Sequence, residues 1–159
     1  MCDGCGLVGD GAGPTHPYML SSPECWARYG ELLATGAAGQ LGVDAYAVQH
    51  PGVPERRAVQ SVGAHLVSLC AALERDWPPG RAIPLIRTAV DLDPGWVWLD
   101  PQLPLGTITV ADVVAVDDWH GRSALVRSWA EEMWEAHASH HELVRSWLDT
   151  VLTSESTDH

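Results

Sequence analysis

Residues 123–152 read SALVRSWAEEMWEAHASHHELVRSWLDTVL and form the longest helical pattern in the chain. Apolar residues recur along it at spacings of three and four, which is typical of the core-facing side of a helix. This stripe consists of Val126, Ala130, Trp134, His137, His141, Val144 and Leu148, with Trp129 and Trp147 beside it. The pattern predicts one long helix that forms a wall of a helical bundle.

Two histidines, His137 and His141, interrupt the apolar stripe four residues apart. Side chains at this spacing lie on the same face of a helix, so two imidazoles there could share a ligand. A buried imidazole also needs a partner, because an unpaired buried polar group costs about 1–3 kcal/mol. The stripe therefore predicts either a metal site or packed histidines that form hydrogen bonds elsewhere.

Three of the four cysteines lie near the N-terminus. Cys2 and Cys5 form a CxxC pair followed by glycine, the arrangement of a zinc knuckle, in which both sulfurs can reach one ion. Cys25 falls in the first turn of a predicted helix, where the helix dipole favours its thiolate. A set of three cysteines needs a fourth ligand. The candidate histidines are His16, His50, His65 and His141.

The CxxC pair also has two simpler interpretations, a thiol redox pair and two incidental thiols. No predicted strand precedes the pair and no helix follows it directly, so the context of a thioredoxin-like motif is missing. Cys70 lies among leucines and a valine in a helical pattern, and we expect it to be a small buried hydrophobic residue.

Helix-start and helix-stop signals divide the rest of the chain into shorter segments. Ser22 and Pro23 mark a helix start and Gly36 its end, and Thr109 with Asp112 resembles a capping box. The pattern predicts helices over residues 22–35, 43–50, 54–77, 81–90 and 109–116, in addition to 123–152. The Trp-rich stretch 91–106 is predicted to be a covering loop that could include one short strand pair. The fold class that we predict is all-α: a compact bundle of four or five helices, with the cysteine loop at one end.

The composition excludes several classes of partner. The chain has 159 residues, a net charge of −12 and no lysine. Nucleic acids and anionic membranes both require clustered positive charge, so we expect neither. No apolar run approaches the roughly 18 residues of a membrane span, and no N-terminal segment resembles a signal peptide. We expect a cytoplasmic protein with a single helical domain over residues 1–152 and a disordered tail over 153–159.

Two metal-site hypotheses are open. A closed site of Cys2, Cys5, Cys25 and one histidine would be structural. An open site of three histidines, which an analogy to DinB/YfiT-like bundles implies, would instead polarise a water or a thiol and support catalysis. We also expect an adjacent pocket for a small-molecule ligand, with a wall of Trp96 and Trp98. Its polar groups would be Asp44, Tyr46, Gln49 and Gln60.

The leading functional hypothesis is a zinc-binding helical protein in which Zn²⁺ ties the cysteine loop to the bundle, with a metal-dependent reaction in the adjacent pocket. One alternative is a non-enzymatic binding or regulatory module whose zinc serves only the fold. The other is a redox protein that uses Cys2 and Cys5. The sequence leaves open whether the protein is an enzyme.

Several segments resemble a known family of uncharacterised bacterial proteins, DUF5946. These are CDGCG at 2–6, PTHPY at 14–18, ECW at 24–26, VDAYAVQHPG at 43–52 and the doublet His140-His141. The resemblance spans nearly the whole chain and implies organisation rather than an activity, and its doublet favours His141 over His137. A more distant analogy is to DinB/YfiT-like bundles, which hold a divalent metal with three histidines. That analogy implies a site of His137, His141 and either His50 or His65.

Overall fold

The structure, a computed structural model, describes residues 1–9 and 11–157. Within these ranges the chain forms seven α-helices, two short 3-10 turns and no strand. The helices are α1 (Pro23–Thr35), α2 (Gly39–Gln49), α3 (Arg56–Glu74), α4 (Ala82–Leu92), α5 (Val110–Val114), α6 (Trp119–Ala136) and α7 (His141–Thr157). The 3-10 turns are Pro79–Arg81 and Ala138–His140. The all-α prediction is confirmed, with more helices than the four or five expected.

Helix α2 lies at the centre of the fold. It packs against α6 on one side and α3 on the other, while α3 also contacts α4 and α7, and α1 packs on α5. Most residues of α2 are small or apolar, and seven of its eleven are buried. Gly42 faces α6, and a methyl group there would be in van der Waals contact with Val126 at 3.4 Å. The C-terminal segment is therefore one wall of the bundle, and the buried centre is α2.

The capping signals read from the sequence are confirmed. The Ser22 hydroxyl accepts a hydrogen bond from the Cys25 amide at 3.1 Å, and Pro23 opens α1. Gly36 ends α1 with a φ of 74°, a left-handed conformation that glycine adopts without strain. Thr109 and Asp112 form the predicted capping box of α5.

The prediction of one continuous helix over residues 123–152 is wrong. The chain leaves α6 at His137, makes the 3-10 turn and begins α7 at His141. The His141 imidazole donates a hydrogen bond to the Trp134 carbonyl at 2.7 Å and stacks on the Trp134 ring at 3.9 Å. The Trp134 carbonyl also accepts the His137 amide at 3.1 Å, so the His141 side chain adds a second hydrogen bond at the end of α6. His137 directly follows α6 and His141 begins α7, so the two histidines share no helix face.

Other boundaries also differ from the sequence predictions. α2 begins at Gly39 rather than at residue 43, and α3 ends at Glu74. α7 continues to Thr157, past the predicted end at residue 152, so residues 153–157 are helical. Hydroxyls in this last part bond to carbonyls four residues earlier, as Thr153 does to Asp149 at 2.8 Å, which lets them continue a helix. Asp158 and His159 lie outside the described residues.

The Trp-rich stretch is a covering loop, as predicted, but it contains no strand pair. Trp96 lies over α3 at Gly63, where a methyl group would come within 2.4 Å of the indole ring. It also packs edge-on against Trp147 of α7, with 5.0 Å between ring centroids. Among the described helices, none is long and apolar enough to cross a membrane.

Candidate metal centre

Four side chains from three parts of the chain converge at one buried point. Cys2 and Cys5 come from the N-terminal turn, Cys25 from the first turn of α1 and His50 from the C-terminal end of α2. Their ligand atoms all lie within 4.8 Å of one another. Cys25 and His50 are fully buried, and the two other cysteines are at most 7% exposed. We call these four residues the Cys3His cluster.

The distances inside the Cys3His cluster suit a tetrahedral ion. The sulfurs of Cys5 and Cys25 are 3.7 Å apart, and the Cys25 sulfur lies 3.2 Å from Nε2 of His50. Zinc binds sulfur at about 2.3 Å and imidazole nitrogen at about 2.0 Å, which places tetrahedral ligand atoms roughly 3.5–3.8 Å apart. The four side chains could therefore hold one zinc ion after shifts of a fraction of an ångström to about one ångström.

Backbone hydrogen bonds shape the cysteine loop and attach it to the bundle. The Gly6 amide donates to the Cys2 carbonyl, and the Cys2 amide donates to the Leu7 carbonyl, both at 2.8 Å. Gly6 has a φ of 79°, so it supplies the turn that brings both sulfurs to one side. The Leu105 amide donates to the Gly4 carbonyl at 2.8 Å. The cysteine loop is thus attached to the bundle through the covering loop as well as through its cysteine side chains.

A second layer of contacts orients the ligands. Nδ1 of His50 donates to the Tyr46 carbonyl at 2.8 Å, which leaves the lone pair of Nε2 directed at Cys25. The Tyr46 hydroxyl donates to the Cys25 sulfur at 3.4 Å and is also hydrogen-bonded to Ser21. The Tyr46 ring stacks on Tyr29 at 3.9 Å between centroids. Orientation of this kind around ligands is typical of metal sites.

The electrostatics of the Cys3His cluster favour a bound cation. Hydrogen bonds from Cys25 and Cys5 lower the pKa of the Cys2 thiol, while those to Cys2 and Cys25 raise the pKa of Cys5. Burial lowers the pKa of His50, but its contacts with the sulfurs of Cys2 and Cys25 outweigh this and raise it to about 9. Three sulfurs this close cannot all be thiolates without a compensating charge. A divalent metal ion would supply that charge.

The other predicted histidine ligands lie elsewhere. Nδ1 of His65 is 2.7 Å from the carboxylate of Asp44, and His141 caps α6. Nδ1 of His16 accepts the Tyr18 amide at 3.2 Å. His137 is 2% exposed, and burial, together with His140 and His141, lowers its pKa to about 4. Among the histidines that the structure describes, only His50 therefore lies with the three cysteines.

The four residues expected to share a pocket face different surroundings. Asp44 lines a cavity of about 120 Å³ and is fully buried, accepting hydrogen bonds from Gln40, His65 and Ser68 at 2.6–2.8 Å. Gln49 bonds to two loop carbonyls and to Trp129. Gln60 bonds to the Val90 carbonyl at 3.3 Å. Tyr46 belongs to the surroundings of the Cys3His cluster.

Sequence reasoning missed the role of Gly4, the residue between the two cysteines of the CxxC pair. A methyl group there would lie 2.5 Å from the Gln49 carbonyl oxygen and 2.6 Å from the His50 ring. Only glycine therefore lets the cysteine loop approach the end of α2. A CxGC spacing is the signal that could have indicated it, because a glycine inside such a pair often marks a close backbone approach.

We expect Gly4→Ala to weaken metal binding by at least about tenfold, because the added methyl group must displace either the loop or the His50 ring. Competition with a chromophoric chelator measures this affinity. Gly30→Ala is the matched control, since no atom lies within 4 Å of a methyl group at Gly30 in α1. That control should keep the affinity and stabilise the fold by about 0.4–1 kcal/mol. Equal affinities of the two variants would contradict the assigned role of Gly4.

Comparison with known proteins supports the resemblance read from the sequence. No curated protein and no solved structure matches the chain. The family model of DUF5946, described as a family of unknown function, matches residues 1–138. This match includes all four residues of the Cys3His cluster and ends two residues after α6. The chain therefore belongs to DUF5946, a family of unknown function.

Proposed function

We propose that this protein binds one zinc ion through Cys2, Cys5, Cys25 and His50, and that the zinc ties the N-terminal loop to α1 and α2. The observation that carries the proposal is the convergence of four buried ligand atoms within 4.8 Å. These residues come from three segments that together span positions 2 to 50 of the chain. A metal ion there contributes folding energy directly, because the unfolded chain has no such site.

The donor set favours zinc. Thiolate and imidazole ligands in a tetrahedral arrangement select zinc or iron, whereas magnesium and calcium require oxygen donors. Three thiolates carry more negative charge than the two positive charges of Zn²⁺, so the Tyr46 hydroxyl bond to Cys25 helps to disperse the excess. This is the arrangement of structural zinc sites with three cysteines and one histidine.

The burial of the Cys3His cluster favours a structural role over a catalytic one. A catalytic zinc keeps one coordination position open to water or substrate, whereas four protein ligands fill a tetrahedral site. All four residues are at most 7% exposed, so the ligand atoms are largely shielded from solvent and from a substrate. We therefore favour a non-enzymatic binding or regulatory module over a zinc enzyme. A redox role is also disfavoured, because reactive thiols are partly exposed and these are not.

Metal analysis of untagged protein tests the proposal. We expect about one zinc ion per chain, with cobalt substitution giving the sulfur-to-metal charge-transfer bands of three thiolates. Cys25→Ser should abolish this binding, while Cys70→Ala should retain it, because Cys70 is buried in α3 outside the cluster. Metal-free protein with the same fold and stability, or retention of the metal in Cys25→Ser, would refute the proposal.

A further inference from the structure

A second pocket lies where α6 gives way to α7. It has a volume of about 430 Å³ and is closed on one side by the covering loop. Its polar lining consists of Asp100, Gln102, His137, Ser139 and His140. It shares no residue with the Cys3His cluster.

His137 and His140 carry ring nitrogens that lack partners. His137 is only 2% exposed, and neither of its nitrogens has a hydrogen-bond partner among the described residues. Nδ1 of His140 is likewise buried and unpaired within that part of the chain. Most buried polar atoms in proteins are satisfied, and leaving one unpaired costs about 1–3 kcal/mol. Three such atoms in two neighbouring imidazoles that line one pocket indicate a ligand that bonds to nitrogen.

The spacing of the two rings suits a shared metal ion. Their centroids are 5.6 Å apart and their planes are inclined by 47°. With metal–nitrogen bonds of about 2.0–2.1 Å, two imidazoles on one ion place their ring centroids roughly 5–5.5 Å apart. The two side chains could therefore reach one ion after a small movement.

The charge around the pocket favours a cation over an anion. Of the residues that the structure describes, Asp100 is the one charged side chain that lines it, and no arginine among them does. The chain as a whole carries a net charge of −12. Neutral imidazoles bind zinc, nickel, copper and cobalt, and a carboxylate is the third donor type found in open two-histidine sites.

We propose that His137 and His140 bind a second divalent transition-metal ion, whose remaining coordination positions face the pocket. Asp100 lines the same pocket and adds negative charge to it. Because the protein provides few ligands, this ion is exchangeable and accessible to small coordinating molecules, unlike the ion in the Cys3His cluster.

Titration of the zinc-loaded protein with Ni²⁺ tests this second site. The protein must carry no His-tag, and calorimetry together with metal analysis by mass spectrometry counts the bound ions. We expect about one nickel ion per chain in addition to the zinc ion, bound by nitrogen and oxygen ligands without sulfur charge-transfer bands. His140→Gln, at a partly exposed position, should weaken nickel binding by at least about tenfold, and so should His137→Gln.

His120→Ala is the matched control, because it removes an exposed histidine at the start of α6 that does not line the pocket. It should leave nickel binding unchanged. The second site is refuted if zinc-loaded wild-type protein takes up no nickel, or if both pocket variants bind it as tightly as His120→Ala. If the protein takes up no zinc at the Cys3His cluster but still binds nickel at this pocket, the second site stands and only the zinc proposal is refuted.

Discussion

Chelation of the metal is expected to release the N-terminal segment from the bundle and to lower the free energy of unfolding by at least about 3 kcal/mol. The basis for this magnitude is the apparent binding energy of structural zinc, about 10–16 kcal/mol in small domains at neutral pH. This protein also has a hydrophobic core, formed chiefly by α2, α3 and α6. We therefore expect only part of the zinc-binding energy to contribute to the free energy of unfolding. Denaturant unfolding with and without chelator measures the difference.

The N-terminal segment should detach before the helical bundle unfolds. The described part of residues 1–22 includes no helix, and the Cys3His cluster, a few backbone bonds and a few side-chain contacts attach it to the bundle. Elements held by few contacts open at lower free energy than the core. Hydrogen exchange should therefore show loss of protection first at the Cys2 and Gly6 amides, whose bonds form the cysteine loop.

Two variants make this test specific. Cys25→Ser should already behave like chelated protein, so that adding chelator changes nothing further. Cys70→Ala should respond to chelator as the wild type does, because its thiol lies outside the Cys3His cluster. An unchanged unfolding transition on chelation of the wild type would contradict a structural role for the metal.

Much of the candidate metal centre could be predicted because its ligands are marked by local signals. CxxCG identifies Cys2 and Cys5, and the helix start at Ser22-Pro23 places Cys25 in a first turn. The choice of His50 over His65 could not be made, because it depends on which face of α2 meets the N-terminal loop. His65 has instead a buried partner, Asp44, that lies 21 positions away and belongs to another helix.

The break between α6 and α7 could not be predicted from periodicity. Residues 137–141 read HASHH and contain neither glycine nor proline, and the apolar stripe continues in phase across them. At the break, the His141 imidazole donates to the Trp134 carbonyl, which also accepts the His137 amide at the end of α6. A histidine that seemed to interrupt a core stripe is thus a capping residue.

The role of Gln49 also could not be predicted from the sequence, which indicated a pocket residue. In the structure its side chain is fully buried and bonds to two other parts of the fold. Its amide nitrogen donates to the Leu105 carbonyl at 2.9 Å and the Ile108 carbonyl at 2.8 Å. Its amide oxygen accepts the indole N–H of Trp129 at 3.1 Å. One side chain therefore joins α2 to the covering loop and to α6.

We expect Gln49→Ala to lower the free energy of unfolding by about 3–5 kcal/mol. The substitution leaves two carbonyls and one indole N–H without a hydrogen-bond partner, and each unpaired buried group costs about 1–3 kcal/mol. Urea denaturation followed by circular dichroism measures this loss. Gln60→Ala is the control, because Gln60 is partly exposed and makes one bond of 3.3 Å. It should cost less than about 1 kcal/mol.

The Gln49 variant should also affect the metal. The covering loop holds the cysteine loop through the Leu105–Gly4 bond, so loosening residues 105–108 removes support from Cys2 and Cys5. We therefore expect faster zinc release to a chelator from Gln49→Ala than from Gln60→Ala. If the two variants lost similar stability and released zinc at equal rates, Gln49 would not connect the loop to the core. A large loss of stability with unchanged zinc release would instead confine its role to the contact between α2 and α6.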